Sequence, residues 1–430
     1  MRISTNLLFN TGLKTISAQQ SDLMHLYQQI ASDRRMLTPA DDPLAAAQSI
    51  NIAQSQARNL RFAENRAVAL SNLGTEENAL DSLTILLQDV RTRVIEAGGG
   101  ALSDADRGAL AEVLKTAREA MLAIANTTDG NGQYVFSGSL GQTPAYRIDE
   151  STGQYQYLGD TLQRQIQADQ TRQIAGSDIG SDVFGRVQPG TLAYATRQLA
   201  AGAGSTAIFG APAVIDRTQG NADSHLEFKV TFTSETSYDV AVTDHSATPA
   251  VTETFTGLAF TPGATLLDLP RSDGGSPASP VPSGTQVQIL GDPAAGDAFA
   301  ITPLQYDQGF NLFDTLSTLI AALEAPASGD PSAQASLRNV LNTSLQYLDS
   351  GYDNVLTVRA SIGARMNELS AMNDAGSQRN LSYAQDLSRL EGLDYYDATM
   401  QLNLRKMTLE GATLAFQTIQ SLSLFNLARK

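Results

Sequence analysis

The sequence predicts a multidomain α+β protein. A long antiparallel helical bundle, formed by the N- and C-terminal segments, carries β-hairpins and an inserted all-β outer domain. Two repeats and one change of composition predict this. Phe9, Ile16, Leu23, Ile30 and Leu37 recur seven apart near the start, and Leu341, Leu348, Val355, Ile362 and Leu369 do so near the end. A seven-residue apolar repeat is the sequence form of helices packing along a seam. Between them lies a long stretch rich in Gly, Pro, Ser and Thr with β character. Neither helical end has a partner in its own half, so the economical arrangement pairs the two ends and loops out the β region.

Residues 1–37 read as one amphipathic helix, with Leu13, Leu26 and Tyr27 widening its apolar stripe. Pro39 disfavours helical geometry at Thr38 and stops it there. Asp41-Asp42-Pro43 restarts a helix, because a carboxylate at the cap accepts orphan N–H groups and Pro fits the first helical position. This second helix runs to about Ala97. Leu73, Leu80, Leu87 and Val94 form its a/d pattern, interleaved with Leu83 and Val90, and Gly98-Gly99-Gly100 breaks it. Ser103 and Asp106 resemble a capping box ahead of a third helix with Leu110, Leu114, Ala117, Met121 and Ile124.

Asp129-Gly130-Asn131-Gly132 is a turn signal, and Gln133–Phe136 and Gln154–Tyr157 read as hairpin strands. Residues 205–303 hold nine of the 15 prolines and eleven acidic residues against three basic ones, which sets them apart as a separate all-β insertion. Alternation in His225–Val230 and Tyr238–Val242 supplies its strand pattern. Helix resumes near Phe310–Leu323. No proline follows Pro331, so 332–391 reads as one long helix or two in series. The last helix, about 395–428, carries Met400, Leu404, Met407, Leu414, Leu422 and Phe425 in looser spacing.

At 430 residues the chain has room for roughly two to four domains. A net charge of −16 argues against nucleic acid or an anionic membrane surface as partner. The absence of cysteine excludes disulfides, thiolate nucleophiles and Cys-based metal centres. No run of about 18 apolar residues calls for membrane insertion, and the N-terminus lacks the pattern of a cleaved signal peptide.

No catalytic, metal or cofactor site emerges. Asp41 and Asp42 read as a helix cap rather than catalytic carboxylates, because Pro43 follows directly. The Gly98–Gly100 run lacks the Lys-Ser/Thr of a phosphate loop. Asp129–Gly132 lacks the glutamate of a calcium loop. His225 and His245 read as surface imidazoles rather than cross-strand metal ligands, and His25 stands apart from both. Arg359 interrupts the apolar seam, and the sequence leaves open whether it snorkels to solvent or pairs with a subunit carboxylate. A hydrolase would need a nucleophile, base and orienting group, and no such constellation stands out.

Four stretches carry a resemblance to the flagellin superfamily, and most closely to the flagellar hook-associated protein 3 family. Leu37-Thr38-Pro39-Ala40-Asp41-Asp42-Pro43-Leu44 is similar to the element between the first two helices. Asn131–Gly138, with Tyr134, Phe136 and Gly138, is similar to the Tyr-x-Phe-x-Gly element that favours the junction protein over filament flagellin. Arg359–Leu369, with Gly363, resembles the late helix shared across the superfamily, and Leu390–Asp397 resembles the connector into the last helix. One departure is Asp33, where the flagellin pattern has Gly, although Asp remains compatible with a helix end.

The resemblance covers about 1–190 and 305–430, and it implies a division of the chain. Residues 1–40 with 393–430 would form a polymerisation domain. Residues 41–190 with 305–392 would form a helical bundle with hairpins, and 205–303 an outward β domain. Phe9, Ile16, Leu23, Ile30, Leu37, Met400, Leu404, Met407, Leu414, Leu422 and Phe425 would make subunit contacts. The resemblance implies a non-enzymatic adaptor, exported through the flagellar type III apparatus without a cleaved signal. It would assemble as a ring of copies of itself outside the cell. Its partners would be flagellin, the first hook-associated junction protein and an export chaperone. A terminal helix pair standing nearly alone buries little surface, so the ends are expected to order on assembly. Filament flagellin is the alternative within the superfamily, and a secreted surface adhesin the alternative outside it.

Overall fold

A computed structural model of the chain describes residues 5–99, 102–187, 193–263, 265–273, 279–307 and 310–427. In chain order, helices α1 (Thr5–Ser32), α2 (Pro43–Ala97) and α3 (Asp104–Ala125) precede two small hairpins. These are β1 (Tyr146–Ile148) with β2 (Tyr155–Tyr157), and β3 (Gln165–Gln167) with β4 (Gln173–Ala175); the short helix α4 (Gly180–Phe184) follows. Next come β5 (Tyr194–Ala200), β6 (Ile208–Val214), the short helix α5 (Arg217–Ala222), β7 (Leu226–Ser234), β8 (Ser237–Asp244) and β9 (Val251–Ala259). Strands β10 (Leu266–Ser272), β11 (Pro280–Leu290) and β12 (Ala298–Pro303) complete the β region. Helices α6 (Leu312–Glu324), α7 (Pro331–Glu391) and α8 (Tyr395–Leu427) follow. The segment left open as one helix or two is therefore one helix of 61 residues.

The chain divides into two compact units. Unit 1 holds Met1–Arg66, Ala168–Thr171 and Ser370–Lys430, and unit 2 holds Ala67–Gln167 and Arg172–Leu369.

Unit 2 contains the heptad core. Leu73, Leu80, Leu83, Leu87, Val90 and Val94 of α2 are buried, as are Leu341, Leu348, Val355, Ile362 and Leu369 of α7. Polar contacts at the margin of this seam fix its direction. Arg359 pairs with Glu77 (2.6 Å) and Asp81 (2.9 Å), Tyr352 accepts from Gln88, and Asp349 pairs with Arg91. The partner number falls on α7 as it rises on α2, so the helices run antiparallel. Arg359 thus neither snorkels to solvent nor waits for another subunit, because its carboxylates lie on α2 of the same chain. Helix α3 starts with the expected capping box: Asp106 N–H donates to Ser103 Oγ, and the Asp106 carboxylate accepts from Ser103 N–H.

The β region is antiparallel throughout. One sheet has strand order β5-β12-β7-β8-β9 and the other β10-β11-β6. Both contribute to one core, with Phe228, Phe232, Val240 and Phe299 from the first sheet and Phe209, Leu269, Val287 and Ile289 from the second. The alternation read in the sequence is real, since Leu226, Phe228, Val230 and Phe232 of β7 point inward and the intervening residues do not. Strand β5 precedes residue 205 and pairs with β12 from Tyr194↔Pro303 to Ala200↔Ala298, so the ladder takes in residues ahead of the composition shift.

Two expected elements differ. The first helix was expected through residue 37 but ends at Ser32, because Asp33 adopts φ +56°, a left-handed conformation that cannot continue a helix. The N–H groups of Leu37 and Thr38 then donate to the Asp41 carboxylate at 2.8 Å instead of to a preceding turn. Gln133–Phe136 is not a ladder strand. Tyr134 makes a single bridge to Thr128, and Val135 and Phe136 lie in a turn.

Unit 2 also buries an acid. Glu76 of α2 is fully buried, its Oε1 accepts from Asp178 N–H at 2.9 Å, and its Oε2 has no partner. Burial, and then the neighbouring Asp178 carboxylate, push its pKa well above the usual carboxylate range, while Arg365, paired with Asp178, opposes this. A group whose folded pKa is raised contributes its full stability at low pH and loses it as pH climbs through the raised value. Glu76→Gln keeps the hydrogen bond from Asp178 N–H and cannot ionise. Its Tm is expected to match the parent chain near about pH 5 and to exceed it at about pH 9. Calorimetry at the two pH values measures the gap, and a gap that does not widen with pH contradicts this account.

Candidate assembly surface

The two chain reversals of unit 1 are joined. Asp42 caps α2 by accepting Ala45 N–H at 3.0 Å, and Pro43 fills the first helical position without needing a partner. Hydrogen bonds from the N–H groups of Thr38 and Leu37 hold the Asp41 carboxyl below the usual carboxylate range. Arg34 bridges Gly392 between α7 and α8, and Arg35 N–H donates to the Glu391 carbonyl at 2.7 Å. The Arg35 guanidinium reaches both Asp42 (3.2 Å) and the Leu390 carbonyl (3.1 Å). Gly392 is required here, since a Cβ would lie 2.3 Å from the Ser388 carbonyl. The Asp41-Asp42-Pro43 element and the Leu390–Asp397 element are thus two sides of one connector that sets where α1 and α8 leave.

Helices α1 and α8 pack side by side. Phe9 and Phe416 lie with ring centroids 5.2 Å apart, and a Cβ on Gly12 would meet the Phe416 ring at 2.7 Å. Arg405 pairs with Asp22. The shielded stripe of α1 is Gly12, Ile16, Leu23, Leu26 and Ile30, and that of α8 is Ala398, Leu402, Leu409 and Phe416. Leu402, Leu409 and Phe416 are seven apart, a repeat distinct from the looser set of Met400, Leu404, Met407 and Leu414.

That looser set lies elsewhere. Met400, Leu404, Met407 and Leu414 are between 56% and 68% exposed. At about 100° per residue they cluster within an arc of about 80° centred opposite the Leu402–Leu409–Phe416 stripe. Helix α8 is therefore apolar on two opposite faces, and the chain covers one of them. Helix α1 shows a smaller version, with Leu13, Met24 and Tyr27 exposed on one flank. Among the described residues, the buried apolar positions of unit 1 are Leu26, Ala45, Ala168 and Ala398 alone, so this unit has little core of its own to draw those faces inward. Burying what remains exposed of the four α8 side chains is worth on the order of 4–7 kcal/mol before the costs of association.

The remaining expected contact residues fall in different places. Phe9 is exposed but touches Phe416, while Ile16, Leu23 and Ile30 are half-buried on the α1 stripe. Leu37 is half-buried in the connector rather than on a helix. The side chains of Leu422 and Phe425 lie outside the described residues. Tyr134, Phe136 and Gly138 shape an inner loop. Phe136 is buried edge-on against Phe184 (5.7 Å), Tyr134 gives its carbonyl to Arg164, and Gly138 has φ +65° with Asp160 against it. At Gly363 a Cβ would meet nothing within 4 Å, so no packing requires glycine there.

Among the described residues no group of acidic or histidine side chains is arranged to hold a metal, and no helix is long and apolar enough to cross a membrane. His225 and His245 are neighbours across strands, but each faces its own carboxylate: Asp244 for His225 (3.4 Å) and Glu227 for His245 (2.8 Å).

The two faces of α8 make opposite predictions for single substitutions. Leu409→Asp is expected to unpair α1 from α8 and to speed amide exchange over residues 5–32 and 395–427. Met407→Asp is expected to leave both exchange and Tm within about 0.5 kcal/mol of the parent chain, because its site is already solvated. Equal effects from the two would refute the two-face assignment.

The Bacterial flagellin N-terminal helical region model matches residues 3–140. The flagellar hook-associated protein 3 of Salmonella typhimurium is 25% identical over 429 residues, covering 100% of both chains. Polar flagellin C of Vibrio parahaemolyticus is 29% identical but over 182 residues, 42% of this chain and 46% of its own. A crystal structure of the flagellar hook-associated protein-3 of Legionella pneumophila superposes with TM-score 0.64 at 26% identity, covering 79% of this chain and 98% of that one. Similarity to hook-associated protein 3 thus runs the full length, β region included, whereas the similarity to polar flagellin C covers less than half. The chain is similar along its whole length to flagellar hook-associated protein 3, and over residues 3–140 to the flagellin N-terminal helical region.

Proposed function

We propose that this protein is the structural adaptor of the bacterial flagellum at the hook–filament junction. It assembles there between the first junction protein and the flagellin filament after type III export. The observation that carries this reading is the uncovered apolar face of α8, Met400, Leu404, Met407 and Leu414, in a unit with almost no buried apolar residue. A surface of this kind suits a chain whose working state is an assembly. Residues 1–40 with 393–430 act as the polymerisation element, 41–190 with 305–392 as the supporting bundle, and 205–303 as the outward β domain. Flagellin, the first junction protein, other copies of this chain and an export chaperone are its partners in this reading. The α1–α8 pair orders fully when its outer faces are covered. The full-length similarity to hook-associated protein 3 favours this role over that of filament subunit.

Deleting the gene in its host is expected to leave bare hooks and to shed flagellin into the medium. The parent gene restores filaments, and the Met407→Asp, Leu414→Asp double variant, exported at normal level, does not. Normal filaments in the deletion strain overturn the proposal. Loss of filaments with no flagellin in cells or medium makes the chain the filament subunit instead.

A further inference from the structure

Unit 1 buries a cation without giving it a carboxylate of its own. Arg66 of α2 is fully buried, with Nε donating to Asn373 Oδ1 at 2.6 Å and Nη1 to the Ala168 carbonyl at 2.8 Å. The charges that act on it are the Asp169 carboxylate and the Arg379 guanidinium, and Asp169 is already paired with Arg379 at 2.8 Å. Gly376 of α7 makes the space, since a Cβ there would lie 2.5 Å from Arg66 Nη2. Buried charges are ordinarily paired, because an unpaired one loses its hydration with nothing in exchange.

A cavity of about 90 Å³ opens beside Asp169 and Arg379, and Ser55, Arg58, Asn59 and Tyr383 line it as well. Arg58 makes one hydrogen bond, Nη2 to Ser55 Oγ at 3.3 Å, and no ion pair among the described residues. Two guanidiniums, Arg58 and Arg379, therefore line this wall against its single carboxylate, and the buried Arg66 acts on that carboxylate from behind, in a chain of net charge −16. The Tyr383 hydroxyl adds a neutral donor, while the Ser55 hydroxyl already donates to the Asn51 carbonyl at 2.9 Å. The excess of charge and donors is what an anion needs, and the planar guanidinium suits oxyanions above other anions.

We propose that this pocket binds a compact oxyanion between Arg58 and Arg379, with the buried charge of Arg66 behind it. The volume admits a phosphate or a carboxylate group and is too small for a nucleotide. Free phosphate and the carboxylate of an acidic side chain offer the same chemistry, and the experiment separates them. The site uses α2, α7 and the Ala168–Thr171 loop, so it stands whether or not the junction role does.

The full chain at low ionic strength is titrated with inorganic phosphate, and separately with acetate as the stand-in for an acidic side chain. Arginine Nε–H resonances report binding. Saturable shifts at Arg58 and Arg379 are expected, with Kd on the order of 1 mM. Arg58→Gln is expected to weaken binding at least about tenfold with Tm nearly unchanged, because its one other contact is the long hydrogen bond to Ser55 Oγ, and Arg58→Lys to recover part of it. Tighter phosphate binding identifies a free oxyanion, and tighter acetate binding identifies a side-chain carboxylate. The absence of saturable shifts with either anion, or equal binding by Arg58→Gln, overturns the site.

Discussion

Two helices packed side by side can each cover one stripe of the other. Helix α8 carries two stripes on opposite faces, and α1 covers only the one formed by Leu402, Leu409 and Phe416. The face bearing Met400, Leu404, Met407 and Leu414 has no partner among the described residues of the chain. An apolar face gains stability when it is covered, and the proposed role is what would place other molecules against this one. Its shortage of buried apolar residues follows from the same arrangement, because four apolar side chains of α8 face away from α1.

Unit 2 solves its packing internally. The α2 and α7 stripes meet along an antiparallel seam, and Arg359, a charge in the middle of an apolar repeat, is neutralised by Glu77 and Asp81 one helix away. Its pKa is raised by those partners, the Glu77 hydrogen bond first. The β region likewise closes its two sheets on one aromatic core. Unit 2 thereby buries its apolar stripes within itself, whereas unit 1 leaves one apolar stripe of α8 uncovered among the described residues.

The connector shows how much depends on a few backbone positions. Asp33 in a left-handed conformation ends α1, Gly392 admits the Ser388 carbonyl, and Arg34 and Arg35 tie the two strands of chain together. The motif residues around it were legible as a helix cap because Asp and Pro act through local geometry. The early stop at Ser32 was less legible, since asparagine and aspartate adopt left-handed geometry only where their surroundings select it. Tyr134 and Phe136 show the limit from the other side, for their alternating apolar pattern suits a strand, yet packing against Phe184 folds them into a turn.

The sequence by itself determined the helices, their caps, the heptad stripes of α2 and α7, the alternating strands and the pairing of the two ends. All of these follow from periodicity and local chemistry, which are written along the chain. It also showed the looser apolar stripe of α8, but not the Leu402–Leu409–Phe416 stripe on the opposite face, because two apolar faces on one helix overlap in a linear reading. Only the tertiary structure decided which face α1 covers, which carboxylates neutralise Arg359, and that β5 joins β12 across about 100 residues. It alone brought Arg58, Arg66 and Arg379 around Asp169. Those outcomes depend on distances between segments far apart in sequence, and such distances exist only once the chain has folded.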